Sequence, residues 1–290
     1  MQKRSPHGSR ARTGRQPSGP SGTGGPASAK PRTASPARAS RPAAPPVPTP
    51  PAPEALADCA RRAGLPVPEQ ALRPLALYLT ELLRWNSVMN LVGARDWREA
   101  LVDLAGDSFH LAAFLADLPL PAAPLHWDLG SGAGLPGIPL RMVWERGNYW
   151  LVEAREKRAL FLSRMLYSLR LPRTHVHRGR VEHFFGTQPR GADCVISRAF
   201  MPPGTLLPLL APHLAPDGLV ILLCNRLPDA LPPGWERVMH RDYGVRRRAD
   251  AASSTGETRR FLAVRLSREG AGVPSGVVPF AETPSREVRQ

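Results

Sequence analysis

Between His126 and Pro139 the chain reads HWDLGSGAGLPGIP, and this stretch limits the fold more than any other. A short apolar run ends in a carboxylate, and four glycines follow within eight residues: Gly130, Gly132, Gly134 and Gly137. Glycines so spaced let a backbone turn sharply and come close to a ligand, and the helix they open offers unpaired N–H groups. The stretch predicts a strand, a tight turn and a helix start, the unit from which parallel sheets are built. Two cofactor classes use such a turn. From Gly132 the letters Gly-Ala-Gly-Leu-Pro-Gly fit the G-x-G-x-x-G dinucleotide pattern. From Asp128 they fit the D-x-G-x-G-x-G loop that holds S-adenosylmethionine (SAM).

The residue at the strand end separates the two. A dinucleotide fold sets a pyrophosphate on the helix N-terminus, and the negative charge of Asp128 opposes one there. The same charge suits the ammonium of a methionine moiety, directly or through water. A second carboxylate, Glu153, follows Gly134 by 19 residues and closes the next apolar run, where it can accept from ribose hydroxyls of either cofactor. A dehydrogenase also needs a proton donor near its nicotinamide, and no Y-x-x-x-K or equivalent is present. The residues favour SAM.

The surrounding pattern extends the unit. Apolar strands are predicted at 125–129, 149–153, 174–177, 193–197 and 218–224, with helices at 137–146, 156–170 and 203–213 between them. Segments 235–248 and 258–266 predict two more strands as an antiparallel closing pair. Upstream, Leu72, Leu75, Leu79 and Leu82 recur at helical spacing in Glu69–Asn86, and a second helix is predicted from Asp96 to Leu115. Asp96 is its expected N-cap, with Glu99 completing a capping box. The fold class expected is α/β: the Rossmann-like, mostly parallel sheet of class I SAM-dependent methyltransferases, behind a helical N-terminal segment. The domains expected are a disordered basic tail at 1–53, a helical subdomain at 54–120, a SAM-binding domain at 121–268 and a flexible tail at 269–290.

The tail rests on composition. Residues 1–53 hold nine of the 39 Lys and Arg and no acid, so they carry +9 of the formal +15. With almost no large apolar residue to bury, they cannot offset the entropy of ordering. The basic excess has two readings, a polyanionic partner such as RNA or a compositional drift towards Arg, Ala, Pro and Gly. Cys59, Cys194 and Cys224 lie far apart without a C-x-x-C pair, which speaks against a disulfide framework or a zinc site. His126, His175, His177 and His183 show no metal-like pairing. No apolar run approaches the ~18 residues of a membrane span. A cytoplasmic monomer without metal or membrane is expected.

Beyond a general SAM fold, DLGSGAGLPGIPL, VEAREKRALFL, GRVEHF and DCVISRAF resemble, in that order and spacing, the RsmG/GidB family of 16S rRNA guanine-N7 methyltransferases. LLRWNSVMNLV and DSFHLAAFL resemble its helical N-terminal region, so the likeness spans about residues 55–266. The resemblance implies Gly130 and Leu135 against the cofactor, Glu153 on its ribose, Val181 and Glu182 beside its adenine, and Arg198 lining the site. It implies 16S rRNA or the small ribosomal subunit as partner. Asn90, Asp107 and Arg198 are positioning candidates, and Trp85 and Asn86 are further candidates for contact with a flipped base. Each has a plainer reading: Leu135 and Trp85 as core, Glu182 as a helix-start acid, Arg198 as an ion-pair partner, Lys157 and Arg158 as a solvated helix face. The chain departs from the family at two places. Asp103 and Leu104 stand where Arg-His is usual, and Cys224-Asn225 where Lys-Gly is frequent. Other functions compatible with the residues are a methyltransferase for a protein or small molecule, a dinucleotide-dependent oxidoreductase, and a non-catalytic RNA-binding protein.

Overall fold

The computed structural model describes residues 49–245 and 257–267. The expected tail at 269–290, and that at 1–53 apart from its last residues, lie outside them. The helical opening comprises α1 (Pro53–Ala63), α2 (Glu69–Met89) and a continuous stretch made of α3 (Trp97–Glu99), a π-helical turn (Ala100–Ala105) and α4 (Gly106–Ala116). Asp96 caps that stretch as its sequence requires, accepting from the amides of Arg98 and Glu99, while the Glu99 carboxylate reaches back to the Arg95 amide. Periodicity alone does not show the π-turn, whose wider register leaves carbonyls to be met by other donors.

Seven strands then form one sheet: β1 (Leu125–Leu129), β2 (Asn148–Glu153), β3 (Thr174–Arg178), β4 (Ala192–Arg198), β5 (Leu214–Cys224), β6 (Trp235–Val245) and β7 (Glu257–Leu266). Their order is β3-β2-β1-β4-β5-β7-β6. The first five strands are parallel, and β7 runs antiparallel to both neighbours, β5 and β6. The closing pair is thus present, with β7 inserted between β5 and β6, and the architecture is that of class I methyltransferases. Helices α5 (Gly137–Arg141), α6 (Glu156–Leu169), α7 (Val181–Thr187) and α8 (Pro203–Leu210) connect the strands.

α5 stops well short of the predicted 137–146. The Arg141 guanidinium is fully buried and donates to the carbonyls of Trp144, Arg146 and Pro172, which bends the chain back on itself. The sheet divides two cores. Cys194 and Ile196 of β4 face the N-terminal helices and α6, while Val195 faces α7 and α8. Chain order reverses at β1, whose neighbours are β2 and β4. Ligands of open α/β sheets bind outside the strand ends at such a switch point. No helix among the described residues is long and apolar enough to cross a membrane.

Candidate functional site

The glycine turn follows β1 at this switch point and is held from three sides. The Tyr78 hydroxyl of α2 donates to the Ala133 carbonyl at 2.8 Å. The Ser131 hydroxyl closes back on the Asp128 carbonyl at 2.7 Å. The Glu153 carboxylate accepts the Gly132 amide at 2.9 Å and the Arg155 amide at 2.7 Å. A carboxylate offers about four lone-pair sites, so these two bonds leave it free to accept further donors.

Beside the turn, at the C-terminal ends of β1 to β4, opens a cavity of about 430 Å³. Gly130, Glu153, Val181 and Glu182, all singled out from sequence, line it together. Arg155, Arg158 and Arg180 line it too, with Phe200 and Met201 opposite. Its size lies within the usual range for small-molecule sites, ~300–1,000 Å³. Gly130 sits at φ +69°, and a Cβ there would meet the Phe200 ring at 2.4 Å. Arg158, read with Lys157 as a solvated helix face, instead lines the cavity while Lys157 is exposed; its place in the first turn after the second strand's closing acid is the signal that could have found it.

Other singled-out residues lie elsewhere. Gly132 and Gly134 belong to the turn's internal bonding, and Leu135 is 5% exposed and packs in the core beneath it. Asn90 is exposed and ends α2 in a left-handed conformation. Asn86 fastens the following loop through the Val92 amide and the Ala94 carbonyl. Trp85 packs edge-on against Phe161 at 5.6 Å, its core reading. His126 is buried, stacks on Tyr149 and accepts from the Trp144 indole at 3.2 Å. Burial holds its imidazole down at about 4, hence neutral. Among the described residues no group of His, Cys, Asp and Glu is placed to hold a metal.

Asp128 is 2% exposed and turned under the loop. Its Oδ2 accepts the Tyr149 hydroxyl at 3.1 Å, and the Gly137 amide at the start of α5 also donates to the carboxylate. Burial pushes its pKa up to about 7 against these bonds. The folded state therefore holds this proton more tightly than the unfolded chain, where a carboxyl titrates near 4. The stabilisation is complete below about pH 4 and is lost as pH rises through about 7. An Asp128→Asn variant should lack this component. Denaturation at a series of pH values should show parental stability, relative to the variant, falling between about pH 4 and pH 7 and levelling above. A difference independent of pH would place the titration elsewhere.

Asp107 and Arg198, far apart in sequence, do meet. Arg198, at the end of β4, donates to the Leu104 carbonyl at 3.0 Å and approaches Asp107 Oδ2 at 3.5 Å. Asp107 is 5% exposed and binds Arg259 of β7 at 2.7 Å. Tyr243 of β6 bonds to it as well, its phenol kept protonated by burial and by the Asp107 charge. Both candidates thus face an interior ion cluster; neither lines the cavity. The two departures from the family pattern lie against β7: Asp103 is 3.9 Å from Arg259, while Cys224 is in register with Arg260, which donates to the Asn225 carbonyl. A cation stands at each place, supplied from the neighbouring strand.

Residues 71–227 match a family model described as rRNA small subunit methyltransferase G, GidB. A ribosomal RNA small subunit methyltransferase G of Nitratidesulfovibrio vulgaris is 51% identical over 192 residues, covering 66% of this chain and 88% of that one. Its counterpart from Lawsonia intracellularis is 46% identical over 178 residues, 59% of this chain and 80% of its own. Among solved structures, an rRNA methylase from Streptococcus thermophilus aligns with a TM-score of 0.39 at 13% identity, over 55% of this chain and 96% of that one. The match over more than half the chain, on a sheet whose switch point carries the glycine turn, makes the chain a member of the GidB family, rRNA small subunit methyltransferase G.

Proposed function

We propose that the chain binds SAM in the cavity beside the glycine turn and methylates N7 of a guanine in 16S rRNA, in the cytoplasm. The observation that carries the cofactor is the convergence of Gly130, Glu153, Val181 and Glu182 on one cavity at the switch point. Glu153 keeps lone pairs for two ribose hydroxyls, Glu182 stands where an amino group of a base can donate, and Gly130 leaves the backbone bare. The dinucleotide reading loses support for a reason of geometry. The buried Asp128 carboxylate lies against Gly137 at the α5 N-terminus, where a pyrophosphate would sit.

When bound, SAM supplies an electrophilic methyl group. Guanine N7 carries an in-plane lone pair and no proton, so the protein needs no general base and works by alignment. The turn and Glu153 fix one partner, while the wall formed by Ala199, Phe200 and Met201 borders the space where the other must arrive. The base reaches that space only if it is unstacked from its neighbours. Asp107 does not stabilise the cationic product directly, since its carboxylate is spent on Arg259 and Arg198.

The test is transfer of label from methyl-tritiated SAM to 16S rRNA, free and in small subunits, with the modified nucleotide mapped by mass spectrometry. Label in N7-methylguanosine is expected; label confined to protein or absent would overturn the reading. A hydrogen bond to an ionised group is worth ~1.5–3 kcal/mol, so Glu182→Ala should weaken SAM binding roughly tenfold or more while leaving the melting temperature unchanged. Calorimetric titration checks it.

A further inference from the structure

Among the described residues four large apolar side chains are exposed: Leu77 (38%), Val88 (70%), Leu160 (59%) and Tyr167 (87%). All four belong to α2 and α6, which pack together through Trp85, Tyr78 and Phe161. The two helices also meet at the surface, where Arg164 Nε lies 3.1 Å from Glu81. That ion pair is the centre of the patch. Leu160 and Tyr167 stand one turn to either side of Arg164, and Leu77 and Val88 stand one and two turns from Glu81.

The charges on this face are mostly positive. Glu81 is 12% exposed and covered by two arginines, Arg164 and Arg84, each 50% exposed. Lys157 continues the α6 stripe as 157, 160, 164 and 167, and has no ion pair among the described residues. An exposed tyrosine and three aliphatic side chains among cations, with one covered carboxylate, form a surface suited to a polyanion that carries planar rings. The stripe starts at Lys157 in the first turn of α6, next in sequence to Arg158, which lines the cavity. Tyr167 is ten residues past Lys157, about 15 Å along a helix at 1.5 Å per residue. A base drawn into the cavity brings its flanking backbone across the neighbouring surface, and the Lys157 end of this face adjoins the cavity-lining Arg158 in sequence.

We infer that the α2–α6 face binds the single-stranded RNA flanking the target guanine, with phosphates on Lys157, Arg164 and Arg84 and one base stacked on Tyr167. The inference rests on the rRNA methyltransferase reading. Its test is steady-state methylation of 16S rRNA by full-length protein carrying Tyr167→Ala, Tyr167→Phe or Lys157→Ala. SAM affinity is measured in parallel as the check of folding.

Tyr167→Ala should raise KM for the RNA about tenfold, as expected for one lost base stack, with kcat and SAM affinity unchanged. Tyr167→Phe keeps the ring and should match the parent. Lys157→Ala should lower the slope of log affinity against log salt by about 0.7, one phosphate contact on a single strand. Unchanged KM and salt slope in an active parent background would overturn the docking face alone. A parent that transfers no methyl group to RNA would overturn the function and the face together. A parent that sediments as a dimer and becomes monomeric on Tyr167→Ala would make the face a contact between two copies and overturn the RNA assignment.

Discussion

Replacing Gly130 by aspartate is expected to lower SAM affinity at least a hundredfold and to abolish methyl transfer, with the fold retained. Three physical effects coincide at this residue. Its φ of +69° lies in the left-handed region, which costs most L side chains ~1–2 kcal/mol and aspartate somewhat less. A Cβ would lie 2.4 Å from Phe200 Cδ2, so the ring must leave its place on the cavity wall or the turn must shift. The new carboxylate would also enter a cavity of about 430 Å³ that already holds Glu153 and Glu182. Gly132→Ala separates strain from collision. That residue shares the positive φ, at +57°, but a Cβ there meets nothing closer than the Arg158 side chain at 3.7 Å. It should therefore keep near-parental affinity, the strain of ~1–2 kcal/mol appearing as a lowered melting temperature. Calorimetry with thermal melts as the folding control distinguishes the two, and parental SAM affinity in Gly130→Asp would remove the cavity from the mechanism.

The contrast between these glycines shows what was legible from sequence. Dense glycine after an apolar strand predicts the turn, and the alternation of apolar runs with helices predicts a parallel sheet, because both are local patterns with one period each. Glu153 was also legible, since an acid closing the second strand is set by strand length alone. The place of Asp128 as the carboxylate near the end of β1 was legible, but its burial under the turn was not. Its partners are Tyr149 on the adjacent strand and the amide of Gly137, and burial among them depends on the register of β1 against β2. The early end of α5 has the same origin, because an arginine buried among carbonyls as far away as Pro172 is a tertiary event. Leu135 was placed by analogy against the cofactor, whereas its apolar side chain follows the stronger local force and enters the core. Nothing near Asp107 announces Arg259, which is 152 residues away.

That distant pair supplies the second large effect. Arg259→Ala is expected to destabilise the protein by about 3–5 kcal/mol, because it leaves Asp107 buried without its principal counter-charge. In a domain of this size the loss lowers the melting temperature on the order of 10 °C. The side chains are 9% and 6% exposed, so water cannot take the place of the lost donor. Arg259 also donates to the Asp103 carbonyl at 3.0 Å, as Arg198 does to that of Leu104. Both carbonyls belong to the π-turn at Ala100–Ala105. The two guanidinium groups therefore fasten the helical opening to β4 and β7 where the helix's own bonding is loosest. Removing both members of the ion pair should cost much less than removing one. Asp107→Leu with Arg259→Met leaves no uncompensated charge on that axis and should recover most of the lost stability, which the single Asp107→Leu variant should not. Melting curves of the parent, Asp107→Leu, Arg259→Met and the double variant measure the coupling directly. Additive losses would show that the cluster is held by packing, and that Arg198 owes its position to the Leu104 carbonyl alone.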